Sequence, residues 1–163
     1  LLCYYKIVLM LDTLHDAEVI GLQSMFLFKK AGSTQAWNPH QDNAYPRAPW
    51  GMYITGNIPF ADQDKENGCM FIYPGSHKEG LLPAEFFKSF HEENGKNPGH
   101  DLSKSLPSDY KPVDVPMMKG SILFLHGNAA HGSYPNNSRR DRPMLLIPYG
   151  TRGITQHPNF IPG

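Results

Sequence analysis

The chain has 163 residues, enough for one domain with a buried core and too few for two ordinary domains. Its 15 lysine and arginine residues are balanced by 15 aspartate and glutamate residues, which excludes a general electrostatic attraction to nucleic acid or to an anionic membrane surface. The two cysteines, Cys3 and Cys69, are too few for a disulfide framework. We therefore expect one domain over residues 1–163, a small-molecule partner and a cytoplasmic location, with the oligomeric state left open.

The opening segment, LLCYYKIVLML, is mostly apolar but contains Lys6 and is followed by Asp12. It is much shorter than the roughly 20 residues that cross a bilayer, and it lacks the charged start and small-residue cleavage site of a signal peptide. The chain does not begin with methionine. We expect that part of an N-terminal segment is missing from it.

Short strands separated by turns follow along the chain. Segment 23–32 (QSMFLFKKAG) predicts a strand with Met25, Leu27 and Lys29 on one face. Segment 50–60 (WGMYITGNIPF) is apolar on both faces and predicts a buried strand. Further strands are predicted at 69–73, 113–118, 121–127, 129–133 and 142–150, with turns at 66–68 and 74–75.

Residues 83–93 (PAEFFKSFHEE) form the best helix candidate, because Pro83 suits a first helical position and the apolar spacing is helical. Residues 94–112 are polar and rich in glycine, asparagine, serine and proline, and they predict a surface loop. The 15 prolines and 15 glycines of the chain follow no repeat. This density of strands and turns predicts a mainly β fold, a sandwich or jelly-roll barrel, with one modest helix.

The segment NPHQDNAYP (38–46) places His40 and Asp42 two residues apart. On an extended segment residues i and i+2 project from the same face, so both side chains can address one point in space. One imidazole and one carboxylate make a weak metal site, and a third ligand is needed. The competing interpretation of the tripeptide is an ordinary polar turn.

The other histidines are the candidates for a third ligand. His91 begins HEENG, but a zincin-type HExxH motif would need histidine where Gly95 stands. His126 and His131 are five residues apart, so on a regular strand only one of them could point inward. The local sequence HGSYPN, with the basic cluster after it, favours His131. Two histidines and one carboxylate form the facial triad of non-haem iron(II) oxygenases, whereas zinc more often takes three or four nitrogen and sulfur ligands.

Three segments together resemble the signature blocks of the phytanoyl-CoA dioxygenase family, which also includes ectoine hydroxylase. They are PHQDNAY (39–45), KENGCMFIYPGSHKEG (65–80) and KGSILFLHGNAAHGSYPNNSRRDR (119–142), in the family's order and with similar spacing. One departure is Ser121, where the family usually has an aspartate after the glycine. This is a turn position, so we expect the change to affect local stability more than chemistry.

The resemblance implies a double-stranded β-helix, or cupin-like jelly-roll barrel, with one or a few flanking helices. It implies Fe(II), 2-oxoglutarate as cosubstrate and O2, with His40, Asp42 and His131 as metal ligands and catalytic centre. The expected reaction hydroxylates a C–H bond of a small organic substrate and converts 2-oxoglutarate to succinate and CO2. Related halogenases replace the ligand carboxylate with a small residue, so Asp42 favours hydroxylation.

Three arginines, at 139, 140 and 142, compete to hold the distal carboxylate of 2-oxoglutarate, which the planar fork of a guanidinium matches. Arg142 begins an apolar run, where an unpaired charge would be costly to bury, so it needs an anion. A simple hairpin would place Arg142 opposite His131, whereas the family's jelly roll implies that they lie on opposing sheets. The resemblance assigns the carboxylate contact to Arg142, with the Ser133 hydroxyl as a second donor.

Further candidates lie around these groups. Lys29 resembles a family lysine near the cosubstrate, although a lysine at a strand end is more often solvated. Asn57, on the buried strand, is a candidate donor to the cosubstrate's other carboxylate. The residues that flank the HxD segment are candidates for lining the substrate pocket or for simple packing: Gln35, Trp37 and Tyr45.

Two rival functions stay open. One is a catalytically silent jelly-roll binding protein, against which His40, Asp42, His131 and Arg142 argue together. The other is a cupin-like metalloenzyme that does not use 2-oxoglutarate, against which Arg142 argues.

Overall fold

The structure is a computed structural model, which describes residues 3–87 and 99–157. In these residues a helix, α1 (Tyr5–His15), precedes a series of short strands. The strands are β1 (Val19–Gly21), β2 (Met25–Lys29), β3 (Trp37–His40), β4 (Tyr53–Pro59), β5 (Met70–Ile72), β6 (Glu85–Phe87), β7 (Gly99–Asp101), β8 (Val113–Val115), β9 (Leu123–His126), β10 (His131–Ser133) and β11 (Arg142–Thr151). Single 3-10 turns occur at Asp42–Ala44, Ser76–Glu79 and Ile154–Gln156.

Two antiparallel sheets form the body of the fold. The first has the order β1-β11-β4-β9, and β2 pairs with the other half of the long β11. The second has the order β3-β10-β5-β8, and β6 and β7 form a separate hairpin-like pair. Side chains from both larger sheets line one cavity between them. The predicted mainly β jelly roll is confirmed.

Helix α1 covers the outer face of the first sheet. Its buried residues Ile7 and Leu11 pack with Ile54 of β4 and with Ile147 and Tyr149 of β11. Full burial of a leucine side chain such as Leu11 contributes about 1.5–3 kcal/mol. This cover explains why β4 is buried, as the sequence predicted: Ile54 on one face meets the helix. The other face was also predicted to be apolar, which is wrong, because it presents the polar residues Tyr53 and Asn57 to the cavity. The helix itself was not predicted from the sequence.

The alternation predicted for β2 is confirmed. Lys29 is buried and Leu27 is half-buried, whereas Phe26 and Phe28 on the opposite face are 59% and 54% exposed. Met25 and Leu27 line the cavity. The period-2 pattern predicted the correct inner face because β2 pairs with β11 in one continuous register, from Met25–Leu146 to Lys29–Arg142.

The predicted helix over 83–93 is wrong where the structure describes it. Residues Glu85–Phe87 form β6, which pairs with β7 so that Phe86 lies opposite His100. The helical spacing of the apolar residues did not decide the conformation. Pairing with β7 buries Phe87 and provides hydrogen-bond partners for the backbone N–H and C=O groups of both segments. For the same reason the loop predicted over 94–112 contains a strand, β7. Residues 88–98 lie outside the described residues.

Helix α1 has 11 residues, and the described residues include no helical segment that could span a bilayer.

Substituting Gly132 tests how closely the second sheet is packed. A Cβ at this position would lie 2.5 Å from both the Phe71 ring and the Trp37 carbonyl oxygen. We expect Gly132→Ala to lower the free energy of unfolding by about 1–3 kcal/mol, measured by urea denaturation. Gly56→Ala is the control, because its Cβ would come no nearer than 3.4 Å to any neighbour. Equal losses in the two variants would contradict this packing.

Candidate active site

Strand pairing brings the predicted metal ligands together. His40 at the end of β3 lies directly opposite His131 at the start of β10. Gln41 keeps an extended backbone, and Asp42 then begins a 3-10 turn. His40 and Asp42 therefore address one point, as the sequence predicted, although the chain turns at Asp42 rather than continuing as a strand.

The three side chains converge on a small volume. The Oδ1 atom of Asp42 lies 3.6 Å from the Nε2 atom of His40 and 3.5 Å from the Nε2 atom of His131. One ligand atom from each residue lies within 4.8 Å of the other two. Two imidazoles and one carboxylate on one side of an ion are the donor set of an octahedral non-haem iron(II) site with open positions.

Backbone carbonyls orient both imidazoles for this role. The Nδ1 atom of His40 is 2.8 Å from the Asn38 carbonyl oxygen, and that of His131 is 3.0 Å from the Ala129 carbonyl oxygen. Each carbonyl needs a hydrogen on Nδ1, which leaves the lone pair on Nε2. Both nitrogens with free lone pairs are thus the ones that face Asp42. The residues present fit a divalent metal ion.

His126, the alternative third ligand, lies elsewhere and has the opposite tautomer. Its Nδ1 atom accepts a 3.0 Å hydrogen bond from the backbone N–H of Asn128, so in the neutral ring Nε2 carries the hydrogen. Its ring packs against Trp50 and His77. His126 therefore presents no free lone pair to a metal ion, and of the two histidines the structure brings only His131 to His40 and Asp42.

Thr55 supports the carboxylate and was missed in the sequence. Its hydroxyl donates a 2.9 Å hydrogen bond to Oδ2 of Asp42, which leaves Oδ1 for the centre. Thr55 is fully buried on β4. The signal in the sequence was the polar row Tyr53, Thr55 and Asn57 at alternate positions of an otherwise apolar strand.

Buried amides on either side of Asp42 hold its loop. The Gln41 amide nitrogen donates to the carbonyl oxygens of Gly80 and Asn128 at 2.6 and 2.7 Å. The Asn43 side chain bonds both the N–H and the C=O of Ala48. Because these bonds connect separate loops, they fix Asp42 from both neighbouring residues.

The pKa values of Asp42 and His131 favour coordinating atoms without protons near neutral pH, whereas the pKa of His40 is shifted in the opposite direction. Burial raises the pKa of Asp42, but His131, His40 and Thr55 outweigh it and lower that pKa to about 2. Burial lowers the pKa of His131 to about 4. Burial also lowers the pKa of His40, but the interactions with Asp42 outweigh it, so that pKa is raised.

A second group of polar residues lies at the other end of the same cavity. Arg142 is 2% exposed, and no described residue supplies a carboxylate to it; its Nε atom has no partner there. Burial lowers its pKa to about 10. Lys29, directly opposite Arg142 on β2, donates to the Ser133 hydroxyl at 2.9 Å and to the Tyr134 carbonyl oxygen.

These two cations repel each other inside the protein. Burial and, next, the charge of Arg142 lower the pKa of Lys29 to about 7. The alternative of a solvated lysine does not hold, since Lys29 is 6% exposed. Two buried cations beside a serine hydroxyl, without an anion among the described residues, are a suitable setting for a small dianion.

The cavity that joins these groups has a volume of about 330 Å3. Of the predicted residues, Trp37, Tyr45, Asn57, Ser133 and Arg142 line it together with the triad, while Gln35 and Lys29 are not among its lining residues. His131 and Arg142 lie on opposing sheets, as the resemblance implied. Lining residues that were not predicted are mainly apolar: Met25, Leu27, Met70, Met144 and Leu146, with Tyr53 and Gln23.

The sequence as a whole agrees with this arrangement. A model of the phytanoyl-CoA dioxygenase family matches residues 7–144, more than half of the chain. The chain belongs to this family. Phytanoyl-CoA dioxygenase of Arabidopsis thaliana is 32% identical over 127 residues, covering 76% of this chain and 41% of that protein. Phytanoyl-CoA dioxygenase 1 of Oryza sativa subsp. japonica is 31% identical over 134 residues, covering 77% and 43%. The chain thus spans about two-fifths of the length of these family members.

Solved structures show the same fold. The non-heme monooxygenase ThoJ has a TM-score of 0.74 at 22% identity, covering 90% of this chain and 52% of that one. The epimerase SnoN, in complex with Fe3+, alpha ketoglutarate and nogalamycin RO, has a TM-score of 0.70 at 22% identity, covering 91% and 56%. At this identity the likeness concerns the fold.

Metal titration distinguishes the two candidate histidines. We expect His131→Ala and Asp42→Ala to weaken Co(II) binding by more than the roughly 10- to 100-fold that loss of an outer-shell partner costs. His126→Ala is the matched control and should leave affinity within about twofold, since its Nε2 carries a hydrogen. Calorimetric titration of metal-free protein measures this, with circular dichroism to verify folding. Loss of affinity in folded His126→Ala would mean that the third ligand is misassigned.

The pH dependence of stability tests the burial of Lys29. The pKa of Lys29 is 10.5 when the side chain is fully solvated, as in the unfolded chain. In the folded chain burial lowers this pKa to about 7. Between these values the unfolded chain binds more protons, so this residue makes the free energy of unfolding rise with pH. Without metal or cosubstrate, we expect Lys29→Met to stabilise the protein more at pH 6.5 than at pH 9, by about 2 kcal/mol.

Urea denaturation at the two pH values gives that difference. Lys30→Met is the control, because the Lys30 side chain is exposed, and it should leave the pH dependence of wild type unchanged. The same pH dependence in wild type and Lys29→Met would contradict a buried, proton-releasing Lys29.

Proposed function

We propose that this protein is an Fe(II)- and 2-oxoglutarate-dependent oxygenase that hydroxylates a C–H bond of a small organic substrate. One observation carries the proposal: a His-Asp-His centre and a buried arginine without a carboxylate partner among the described residues line the same cavity. Membership of the phytanoyl-CoA dioxygenase family supports it. Iron(II) held at this centre would supply the oxidising chemistry, with O2 as oxidant and 2-oxoglutarate consumed to succinate and CO2.

The metal end of the cavity is proposed to bind iron through the Nε2 atoms of His40 and His131 and through Oδ1 of Asp42. Three protein ligands would leave room at the ion for the cosubstrate and O2. Thr55 donates a hydrogen bond to Oδ2 of Asp42, which would leave Oδ1 to hold the ion. A carboxylate here occupies the place that a halide would need, which favours hydroxylation over halogenation.

The cationic end is proposed to bind the distal carboxylate of 2-oxoglutarate. Arg142 provides a planar pair of donors, and Ser133 and Lys29 lie beside it. A bound dianion would compensate both buried charges and favour the protonated form of Lys29. Asn57 of β4 lines the same cavity as Arg142, and its Oδ1 atom has no partner among the described residues.

The charge-transfer band of an iron(II)–2-oxoglutarate chelate tests the whole proposal. Iron(II) and then 2-oxoglutarate are added to the protein under anaerobic conditions, and visible absorption is recorded. We expect a new band that needs both components. Its absence in wild type would rule out the proposed function and favour a silent binding protein or a metalloenzyme that does not use 2-oxoglutarate.

The contribution of Arg142 can be measured separately. We expect Arg142→Met to weaken 2-oxoglutarate binding by about 2–5 kcal/mol, because the cosubstrate carboxylate loses its charged partner inside the protein. Arg140→Met is the control, since Arg140 lies at the surface in an ion pair with Asp64. Calorimetry on Zn(II)-loaded protein gives both affinities. Unchanged binding in Arg142→Met would assign the carboxylate to another cation.

A further inference from the structure

The inner face of β4 carries three polar side chains in a row, Tyr53, Thr55 and Asn57. Alternate residues of a strand share a face, and Tyr53 and Asn57 both line the cavity. Thr55, between them, bonds Asp42 of the metal centre. The row therefore passes from one side of the centre to the other.

Strand register shows which side each residue occupies. Along β11, Asn57 is level with Leu146 and Tyr53 is level with Gly150, while Arg142 lies beyond Asn57. The levels of Tyr53 and Asn57 are about 13 Å apart at the usual strand rise. Tyr53 and Arg142 are thus on opposite sides of the Thr55 level, at which Asp42 is held.

This placement divides the cavity. On the proposed function, the cosubstrate extends from the metal centre towards Arg142, so that end is occupied. The opposite end, towards Tyr53, is left for the molecule that is hydroxylated. Tyr45, at the end of the 3-10 turn that begins at Asp42, also lines the cavity.

Tyr53 is held in a fixed position and its hydroxyl is available. The Gly127 backbone packs against its ring so closely that a Cβ there would lie 2.7 Å from the Tyr53 Cδ1 atom. The Gly127 N–H also donates to the Tyr53 carbonyl oxygen at 2.8 Å. The hydroxyl itself has no hydrogen-bond partner among the described residues. Burial and, next, Asp42 raise its pKa, so the phenol keeps its hydrogen as a donor.

We propose that Tyr53 is a substrate-contacting residue that donates a hydrogen bond to an uncharged oxygen, a carbonyl or hydroxyl, near the carbon that is hydroxylated. This inference rests on the proposed function, because it takes the Arg142 end as the cosubstrate end. It deepens that function by naming a substrate class and a residue that selects it.

The surroundings of Tyr53 restrict the class further. Tyr45 adds a second aromatic side chain to the cavity lining, whereas Trp37 and Met25 are level with Ser133 and Leu146, towards the cosubstrate end. Among the described residues that line the cavity, the one lysine or arginine is Arg142, at the cosubstrate end. A carboxylate or phosphate near Tyr53 would have no cationic partner there and would face Asp42. A substrate with an uncharged oxygen fits this end.

Two matched probes test the hydrogen bond without turnover. Acetophenone and α-methylstyrene have the same shape and differ in one carbonyl oxygen, and benzoate adds a negative charge. Their dissociation constants are measured by ligand-observed NMR on Zn(II)-loaded protein saturated with 2-oxoglutarate. We expect wild type to prefer acetophenone over α-methylstyrene by about three- to tenfold, the worth of one hydrogen bond, and to bind benzoate more weakly than acetophenone.

The variant Tyr53→Phe removes only the hydroxyl. It should reduce the preference to about onefold and leave α-methylstyrene binding unchanged, whereas Tyr73→Phe, a tyrosine outside the cavity lining, should behave as wild type. An unchanged preference in Tyr53→Phe, tightest binding of benzoate, or no binding of either neutral probe to wild type would overturn the inference.

The iron(II)–2-oxoglutarate band separates this failure from failure of the proposed function. The band should be present in wild type and in Tyr53→Phe, because the hydroxyl lies away from the cosubstrate end. A band in both proteins together with failed probe results overturns the role of Tyr53 alone. A missing band in wild type overturns the oxygenase proposal and this inference with it.

Discussion

The register of β10 between its neighbours is the constraint on which the candidate site depends. It sets His131 opposite His40, and two residues later it sets Ser133 beside Lys29. Since side chains alternate along a strand, a slip of one residue would turn both groups away from the cavity. Gly132 lies between them, against Phe71 and Trp37, where no side chain fits. Close packing of the sheet and convergence of the predicted metal ligands thus have the same origin.

The cavity is bordered by buried charged side chains that destabilise the folded state, and packing elsewhere in the molecule offsets this destabilisation. Lys29 and Arg142 are buried side by side, while surface cations such as Arg140 and Arg152 pair with carboxylates. Desolvated charges without partners destabilise a protein. The apolar cluster between α1 and the first sheet supplies the opposing stability. Such a distribution is common where a binding site is kept ready for its ligand.

Several features were predictable because they depend on neighbours in the sequence. The inner face of β2 followed from its period of two, and His40 and Asp42 converged because one extended residue separates them. The helix predicted at 83–93 failed over Glu85–Phe87, where pairing with β7 decides the backbone conformation. Thr55 and Tyr53 could be seen only as polar positions on a buried strand, since Asp42, which Thr55 bonds, lies in another loop and the cavity that Tyr53 lines is formed by several segments.

By itself the sequence determined the family, the mainly β jelly roll and the residue types of a metal site. The signature segments and the alternation of apolar and polar residues depend only on residues that are close in the sequence. The tertiary structure alone decided which atoms meet. It distinguished His131 from His126 through backbone groups that select opposite tautomers. It also placed Arg142 and Tyr53 on opposite sides of the Asp42 level, because register between strands far apart in the chain sets the order of groups along a barrel.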